Sequence, residues 1–193
     1  QGTAGDDELQ GGSGDDAIHS GSGNDQISAG RGNDIVYAGA GDDIINSGGY
    51  GSNTIYAGEG DDIVRFAEDG EGAYRNHTNH ISGGKGNDLL MGNTGNDHYH
   101  FNLGDGQDII EDYDKYRSGT DRVVFGEGIT AQHLAVYHAG DDIILQLLDG
   151  AGQYTADRIT IRNAYTDNAY AIEEIVFSDG SILTHDELKS QTT

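Results

Sequence analysis

Three consecutive segments decide the fold: SGSGNDQIS (Ser20–Ser28), AGRGNDIVY (Ala29–Tyr37) and AGAGDDIIN (Ala38–Asn46). Each segment has nine residues, with Gly at the second and fourth places, Asp at the sixth place and an apolar residue at the eighth. Self-similarity at a fixed short period is the sequence signature of a solenoid, in which each repeat contacts only its neighbours. The chain is therefore expected to coil regularly.

The same unit continues on both sides of this stretch. The other near-complete units begin at Gly2, Gly11, Ala57, Gly83 and Gly92, and LGDGQDIIED from Leu103 closes the series. The unit from Ser47 carries one extra residue and has Asn53 where Asp is expected. An insertion of about residues 66–78 follows, after which Asn79 begins the tail of another unit. The repeats therefore extend over residues 1–112.

Each unit combines a turn with a strand. Its glycines permit backbone conformations with positive φ, and its last three residues are typical of a very short strand. If two units make one coil, the strands of every second unit stack on one another, and two parallel sheets form with apolar side chains between them. The side chains expected to point into that space are those of Leu9, Ile18, Ile27, Val36, Ile45, Ile55, Val64, Ile81, Leu90 and Tyr99.

So thin a core does not hold the coil by itself. Burial of one aliphatic side chain contributes about 1.5–3 kcal/mol, whereas ordering the backbone costs about 1–2 kcal/mol per residue. The sixth places also stack carboxylates such as Asp7, Asp25 and Asp43 above one another, where like charges repel. A hard divalent cation relieves this repulsion, and calcium, with its tolerant shell of oxygen ligands, fits better than magnesium. The candidate ligands are Asp7, Asp16, Asp25, Asp34, Asp43, Asn53, Asp62, Asp88, Asp97 and Asp108.

These units resemble the repeats-in-toxin (RTX) nonapeptide, written G-G-x-G-x-D-x-U-x, a calcium-binding β-helix repeat. The resemblance covers residues 1 to about 112 and implies a parallel β-roll with calcium between turns n and n+2. It implies that the earlier turn supplies the carbonyls of its second and fourth residues and its Asp. The later turn then supplies the carbonyls of its first and third residues and its Asp. For this chain the resemblance implies about six to eight Ca²⁺ ions.

Three sites illustrate the ligand sets that the resemblance implies. The first comprises Gly12, Gly14, Asp16, Ala29, Arg31 and Asp34. The second comprises Gly21, Gly23, Asp25, Ala38, Ala40 and Asp43, and a later one comprises Gly58, Gly60, Asp62, Gly83, Lys85 and Asp88. The remaining glycines at second and fourth places that are assigned to sites are Gly30, Gly32, Gly39, Gly41, Gly84 and Gly86. Asn53 is a neutral ligand, and the turn before Asn79 lacks its glycines, so these turns depart from the pattern.

Residues 113–193 contain no nonapeptide and are predicted to form a separate β-rich domain. Strand-like runs cover Asp121–Phe125, Leu134–His138, Asp142–Leu148, Arg158–Arg162 and Glu174–Phe177. Thr130 is expected to cap one helical turn, and Thr184 with Glu187 has capping-box spacing. The region resembles the domain that commonly follows the repeats in haemolysin-type calcium-binding proteins. Because an exposed sheet edge invites aggregation, its expected role is to cap the roll. The predicted fold is all-β: a parallel β-roll followed by a β-rich capping domain.

Composition excludes several classes of protein. The 193 residues include 34 acidic and 10 basic side chains, for a net charge of -24, and no Cys or Pro. Without Cys there is no disulfide framework and no thiolate metal site. So acidic a chain is a poor partner for nucleic acid, whose phosphates require basic side chains. No apolar run is long enough to span a membrane, and the N-terminus lacks the pattern of a secretory signal.

The resemblance implies a calcium-dependent folding module from a bacterial toxin, adhesin or exoenzyme exported by a type I system. Its partners would be calcium and, transiently, the secretion machinery, and its location would be extracellular or at the cell surface. Self-repulsion would keep the chain unfolded at cytosolic calcium, and millimolar calcium outside would fold it. The sequence contains no G-x-S-x-G, P-loop or HExxH motif, and the module is interpreted as non-enzymatic.

Other interpretations remain open at this stage. Tyr37 and Tyr56 both occupy ninth places and suit either a glycan- or cell-surface-binding face or ordinary packing on a strand surface. His80 and His98 occupy equivalent seventh places two turns apart, near His77 and His100 in the sequence. These histidines suit either a zinc or nickel site or a solvated surface. An EF-hand beginning at Asp112 is excluded, because the required Gly and terminal Glu are missing.

Overall fold

Two β-sheets make up most of the computed structural model, which describes residues 1–66, 77–114, 116 and 119–192. Strands are numbered along the chain. The first sheet contains, in spatial order, β1 (Glu8–Ser13), β3 (Gln26–Arg31), β5 (Ile44–Asn46), β7 (Ile63–Arg65), β9 (Leu89–Gly92), β11 (Gln107–Asp112), β15 (Tyr154–Ile161), β14 (Asp142–Leu148) and β13 (Leu134–Ala139). The second contains β17 (Ile182–Thr184), β16 (Glu174–Val176), β12 (Arg122–Phe125), β10 (Asn96–Phe101), β8 (Thr78–Lys85), β6 (Thr54–Glu59), β4 (Ile35–Ala40) and β2 (Ala17–Ser22). Odd- and even-numbered strands of the repeats alternate between the sheets, so two units make one coil as predicted.

The register of the parallel ladders confirms the predicted stacking. Leu9 pairs with Ile27, and Ile27 pairs with Ile45, so equivalent residues of every second unit are neighbours. Across the insertion Val64 pairs with Leu90 without a change of face. The apolar residues expected between the sheets form one core cluster, with Leu9 partly buried at its edge and the others buried.

The strands are longer than the very short ones that the sequence predicted. β3 runs for six residues, because its ladder with β1 continues through Gly12 paired with Gly30 and Ser13 paired with Arg31. The first three residues of the following unit are therefore extended and paired. The prediction failed because it assigned all the glycines to the turn, whereas glycine also allows close backbone stacking.

Gly30 shows why the second place requires glycine. Its φ is 105°, and a Cβ added there would lie 2.1 Å from the carbonyl oxygen of Gly12 in the turn below. Such a side chain is excluded both by backbone strain and by a steric clash. The close approach brings the carbonyls of successive turns into the space between them, where they are available as ligands.

The sheets continue through the C-terminal region. β12 adds parallel to β10, and β15 adds parallel to β11. The antiparallel strands β13, β14 and β17 then complete the ends of the sheets. The five predicted strands are found close to their predicted positions, and the division of the chain at residue 112 stays a prediction.

Helical segments are short. Thr130 precedes a 3₁₀ turn (Ala131–His133), and a second 3₁₀ turn covers Asn168–Tyr170. The helix α1 (His185–Gln191) begins with the predicted capping box, in which Thr184 and Glu187 each accept a backbone N–H of the other. Within the described part of the chain, no helix has the length and apolar character needed to cross a bilayer.

The greater part of the predicted insertion, residues 67–76, lies outside the described residues. On either side of it, Phe66 packs against the core and β8 begins at Thr78. The tail of a unit predicted from Asn79 is confirmed as part of β8.

Candidate metal sites between stacked turns

The sixth-place residues form two columns, one beside each sheet. The first column contains Asp7, Asp25, Asp43, Asp62, Asp88 and Asp108. The second column contains Asp16, Asp34, Asn53, Asn79, Asp97 and Asp121. All the sequence-predicted carboxylates are in these columns, and the structure adds Asn79 and Asp121.

A step is the pair of sixth-place residues in two successive turns of one column. The same hydrogen bond joins the two residues of every step between aspartates. The backbone N–H of the earlier residue donates to Oδ1 of the residue in the next turn above, as from Asp7 to Asp25 at 2.8 Å and from Asp16 to Asp34 at 2.9 Å. This bond engages only one of the two carboxylate oxygens. At the N-terminal end Asp7 has a second partner, since its Oδ2 accepts from Thr3. The Oδ2 atoms of six residues are buried without a hydrogen-bond partner, namely those of Asp16, Asp25, Asp34, Asp43, Asp62 and Asp88.

A row of unpartnered buried carboxylate oxygens fits a hard cation. An ionised carboxylate buried without compensation costs several kcal/mol or more, and native structures pair such groups or use them to coordinate metal. The donor set consists of oxygen alone, which suits calcium and argues against softer metals. Bound calcium would neutralise the stacked carboxylates, and the chain's own residues hold their Oδ2 atoms in register for it.

Backbone carbonyls border the same spaces. The twelve second- and fourth-place glycines that the sequence assigned to the sites all have positive φ, as at Gly12 and Gly14. Third-place carbonyls accept one hydrogen bond each from the turn below, as Arg31 does from Gly14 at 2.7 Å and Lys85 does from Gly60 at 2.8 Å. A carbonyl oxygen has a second lone pair, so these atoms remain able to bind a cation.

The raised pKa values of the first column show that negative charge on its buried carboxylates is unfavourable. Burial, with smaller contributions from neighbouring carboxylates, raises the pKa of Asp43 to about 6 and that of Asp62 to about 8. The same causes raise the pKa of Asp88 to about 6 and that of Asp108 to about 8. In the absence of cations, folding therefore opposes ionisation of these groups.

The two asparagines change the second column. Asn53 accepts from Asp34 N through Oδ1 and lies with Nδ2 3.4 Å from the carbonyl of Ser47. Asn79 donates from Nδ2 to Oδ1 of Asp97 at 2.7 Å. The amide hydrogens thus donate to a backbone carbonyl and to a carboxylate of these turns, so the turns are held without positive charge from an ion.

The fifth-place residues form a second ladder that sequence reasoning missed. Asn24 N donates to Oδ1 of Asp6, and Asp42 N donates to Oδ1 of Asn24, in the direction opposite to the sixth-place bonds. These side chains are exposed and need only one acceptor oxygen. The signal was present in the sequence, because the fifth place is Asp in some units and Asn in others whereas the sixth place is almost always Asp.

A third arrangement lies where the roll meets the C-terminal strands. One carboxylate oxygen from each of Asp97, Asp112 and Asp121 lies within 4.8 Å of the others, and all three residues are buried. Burial, together with the other carboxylates, raises the pKa of Asp121 to about 9 and that of Asp112 well above its usual range. No metal-binding role was predicted for Asp112 or Asp121 from the sequence.

His80, His98 and His100 lie together as the sequence indicated, whereas His77 does not join them. His80 and His98 are neighbours on the outer face of the second sheet, with ring centroids 5.0 Å apart, and His80 Nδ1 is 3.1 Å from His100 Nε2. His77 lies in a turn instead, with Nε2 3.2 Å from Oδ1 of Asn93. Among the described residues, these rings do not place three ligand atoms within 4.8 Å of one another, and the pKa of His98 is lowered to about 4 by burial and by neighbouring cationic groups.

The fold and the two columns of sixth-place residues together define the class of protein. It is a parallel β-roll of nonapeptides with carboxylates stacked between its turns. Comparison with known families agrees. The model of the RTX calcium-binding nonapeptide repeat matches four times, over residues 1–27, 19–49, 47–69 and 76–110, which is more than half of the chain. The chain belongs to this family of RTX calcium-binding repeat proteins. A haemolysin-type calcium binding protein related domain matches residues 142–187.

A curated relative is similar over part of the chain. The iron-regulated protein FrpA of Neisseria meningitidis serogroup C is 33% identical over 101 residues, which are 49% of this chain. The chain covers 9% of the length of that relative. The similarity therefore concerns one part of a much longer protein.

Proposed function

We propose that this chain is a calcium-dependent folding module of a type I secreted bacterial RTX protein, and that the module supports secretion and extracellular folding without catalysing a reaction. The observation that carries the proposal is the row of buried, unpartnered Oδ2 atoms in the aspartate columns. These atoms make the folded roll costly without cations. Membership of a calcium-binding family supplies the identity of the cation.

The proposal places one ion at each step between two aspartates within the repeats. The first column has five such steps, and the second has one, between Asp16 and Asp34. The ligands at each step are the two carboxylates together with the first- to fourth-place carbonyls implied by the repeat pattern. The steps that contain Asn53 or Asn79 are proposed to hold no ion, since each asparagine offers one oxygen without negative charge and its amide hydrogens donate to Ser47 or Asp97.

Calcium concentration would then act as the folding switch. Binding to the folded state alone contributes RT ln(1 + [L]/Kd) per site, which is about 1.4 kcal/mol at tenfold saturation. Six such contributions are comparable with the whole stability of a typical domain. At low cytosolic calcium the chain, with a net charge of -24, would remain unfolded and suited to export. Millimolar calcium outside the cell would fold it.

A calcium titration followed by far-UV circular dichroism tests this proposal. The expected result is a disordered spectrum in EDTA, a cooperative rise of β signal with calcium, and reversal when EDTA is added again. Magnesium at equal concentration is the matched control and is expected to act weakly, because it demands a tighter octahedron and keeps its water. A full β signal in EDTA that calcium does not change contradicts the proposal.

A second candidate function, binding of a glycan or cell surface, is favoured by one specific observation. His19, Tyr37 and Tyr56 form a stacked row on the outer face of the second sheet, with successive ring centroids 4.7 and 5.0 Å apart. Both tyrosines are exposed, and a depression of about 430 Å³ beside Tyr56 is bordered by Ser82 and His100. Aromatic rings of this kind offer flat apolar surfaces with polar edges. A glycan array in calcium tests this candidate, with Tyr37→Thr/Tyr56→Thr as the comparison.

A further inference from the structure

The step between Asp97 and Asp121 differs from every other step of the columns, because Asp112 forms a cluster with these two residues. Asp97 and Asp121 are consecutive sixth-place residues of the second column, joined by a hydrogen bond from Asp97 N to Oδ1 of Asp121 at 2.8 Å. Asp112 comes from the end of β11, which belongs to the first sheet. The cluster therefore gathers carboxylates from both sheets at the place where the repeats end.

Asp112 occupies a first place that is uncharged in the turns below it. It pairs in register with Gly92. The first-place residues of the turns below, Phe66, Ser47 and Ala29, directly follow the ninth-place residues Arg65, Asn46 and Ser28, which the ladders pair with one another. A side chain at a first place points toward the sixth-place carboxylate of its own turn, because a Cβ on Gly11 would lie 2.8 Å from Oδ2 of Asp16. An aspartate at this place therefore adds a third carboxylate that the lower turns lack.

One oxygen of Asp112 is positioned and the other is unpartnered. Tyr99 donates from its hydroxyl to Oδ2 of Asp112 at 2.9 Å, and both residues are 1% exposed. Oδ1 of Asp112 is buried and has no hydrogen-bond partner. The hydrogen bond from Tyr99 holds the carboxylate of Asp112 in the cluster. Its unpartnered oxygen is therefore available to bind a cation.

Among the described residues, two arginines that follow the cluster in sequence pair with other carboxylates. Arg122 pairs with Glu174 at 2.7 Å, and Arg162 pairs with Glu111 at 2.8 Å. A fourth carboxylate follows in the next layer, where Glu173 Oε2 accepts from the N–H of Asp121 at 2.8 Å. Buried like charges at such short range repel strongly unless a cation lies between them.

We propose that Asp97, Asp112 and Asp121 together bind one hard cation, calcium, in a three-carboxylate site that links the two sheets at the junction between the repeats and the C-terminal strands. The site is additional to the six proposed within the roll and differs from them in its third side-chain ligand from the opposite sheet. A third carboxylate raises the charge of the site, and ligand charge is one determinant of calcium affinity. The junction is therefore the site expected to fill first. This inference rests on the proposed calcium binding of the module.

The test compares the whole chain with Asp112→Asn, which keeps the shape of the side chain and removes its charge. Glu111→Gln is the matched control, because it removes the same charge from the adjacent residue on the other face of β11. Bound calcium is counted by equilibrium dialysis over a range of free calcium. The expected result is loss of the tightest ion per chain in Asp112→Asn and an unchanged tight class in Glu111→Gln.

The alternative is a cluster held together by a proton, for which Asp112→Asn is a mimic of the neutral acid. It predicts the same calcium count in Asp112→Asn as in the native chain, and that result overturns the inference. A native chain that binds no calcium at all contradicts the proposed function itself, so the two failures are distinguishable. Asp112→Ala, which introduces a residue found at other first places, is expected to lose the same ion.

Terbium luminescence gives a second measurement on a chain with all carboxylates intact. Terbium replaces calcium at oxygen sites and is sensitised by an adjacent phenol, and Tyr99 touches the proposed ligand Asp112. The first terbium equivalent is expected to produce strong emission in the native chain and weak emission in Tyr99→Phe. Equal emission from both chains at the first equivalent overturns the inference that this site fills first beside Tyr99.

Discussion

The backbone N–H of Asp25 donates to Oδ1 of Asp43 at 2.8 Å, while Oδ2 of Asp43 is buried without a partner. One aspartate therefore performs two tasks, because it joins its turn to the turn below and presents an oxygen to the space between turns. Asparagine can perform only the first task. This difference explains why the sixth place is stricter than the fifth, and it leads to the first two predictions.

Asp43→Asn is expected to raise the calcium concentration at the folding midpoint on the order of tenfold, which corresponds to about 1.4 kcal/mol. Asp43 contributes to two steps of its column, so one substitution weakens two sites. Asp42→Asn is the control, since it removes the same charge from an exposed fifth-place residue whose acceptor role an amide preserves. Far-UV circular dichroism during calcium titration measures both midpoints. Equal shifts in the two variants contradict the assignment of the sixth place.

Asn53→Asp is expected to add one calcium ion per chain. The change turns the step between Asp34 and residue 53 into one between two carboxylates and removes the amide hydrogens that face Ser47. Native mass spectrometry in calcium counts the ions. Ser52→Asp, at the exposed fifth place beside it, is expected to leave the count unchanged. An unchanged count in Asn53→Asp shows that the turn stretched by Tyr50 lacks the remaining ligands.

Lower pH is expected to stabilise the calcium-free fold. The pKa values of Asp43 and Asp62 are raised to about 6 and about 8, above the value of about 3.9 for an unfolded aspartate. A raised pKa means that the folded state holds its protons more tightly. The stability is therefore fully present below about pH 4 and is lost as pH rises through about 6 to 8. Circular dichroism in calcium-depleted buffer from pH 4 to 8 measures this, and β signal that rises with pH contradicts it.

Gly30→Ala is expected to destabilise the calcium-loaded roll more than Gly12→Ala. The two glycines have nearly equal φ, 105° and 108°, but only Gly30 has a carbonyl where the new Cβ would lie. Backbone strain alone costs about 1–3 kcal/mol, and the clash adds to it in Gly30→Ala. Thermal unfolding at saturating calcium compares the variants. Equal losses of stability would indicate that the carbonyl of the turn below does not restrict which residue fits at the second place.

The coil was predictable because the same nine-residue spacing sets both the structure of each unit and the stacking of units on one another. The spacing of Ile27 and Ile45 predicted the register, and the spacing of Asp25 and Asp43 predicted the first column. The length of the strands could not be predicted in the same way. Glycines suggest turns, and only the stacked backbone shows that Gly30 lies within a strand.

The junction could not be predicted from spacing. Asp112 and Asp121 are first- and sixth-place residues of one turn, but Asp121 follows Asp112 by nine positions instead of five. Because this turn is longer, the nonapeptide spacing does not identify Asp121 as a sixth-place residue. The inward direction of Asp112 depends on the pairing of β11 with β9, which sets Asp112 beside Gly92. Tertiary register, which no local motif encodes, brings the three carboxylates together.

The most direct test of the central claim is an anomalous difference map from crystals grown in calcium. Calcium binding between stacked turns predicts a peak at each aspartate pair of the first column, including the space between Asp25 and Asp43, and at the pair of Asp16 and Asp34. It predicts no peak between Asn53 and Asn79. Calcium confined to surface carboxylates, with the Oδ2 atoms of the columns bound only to water, would contradict the account.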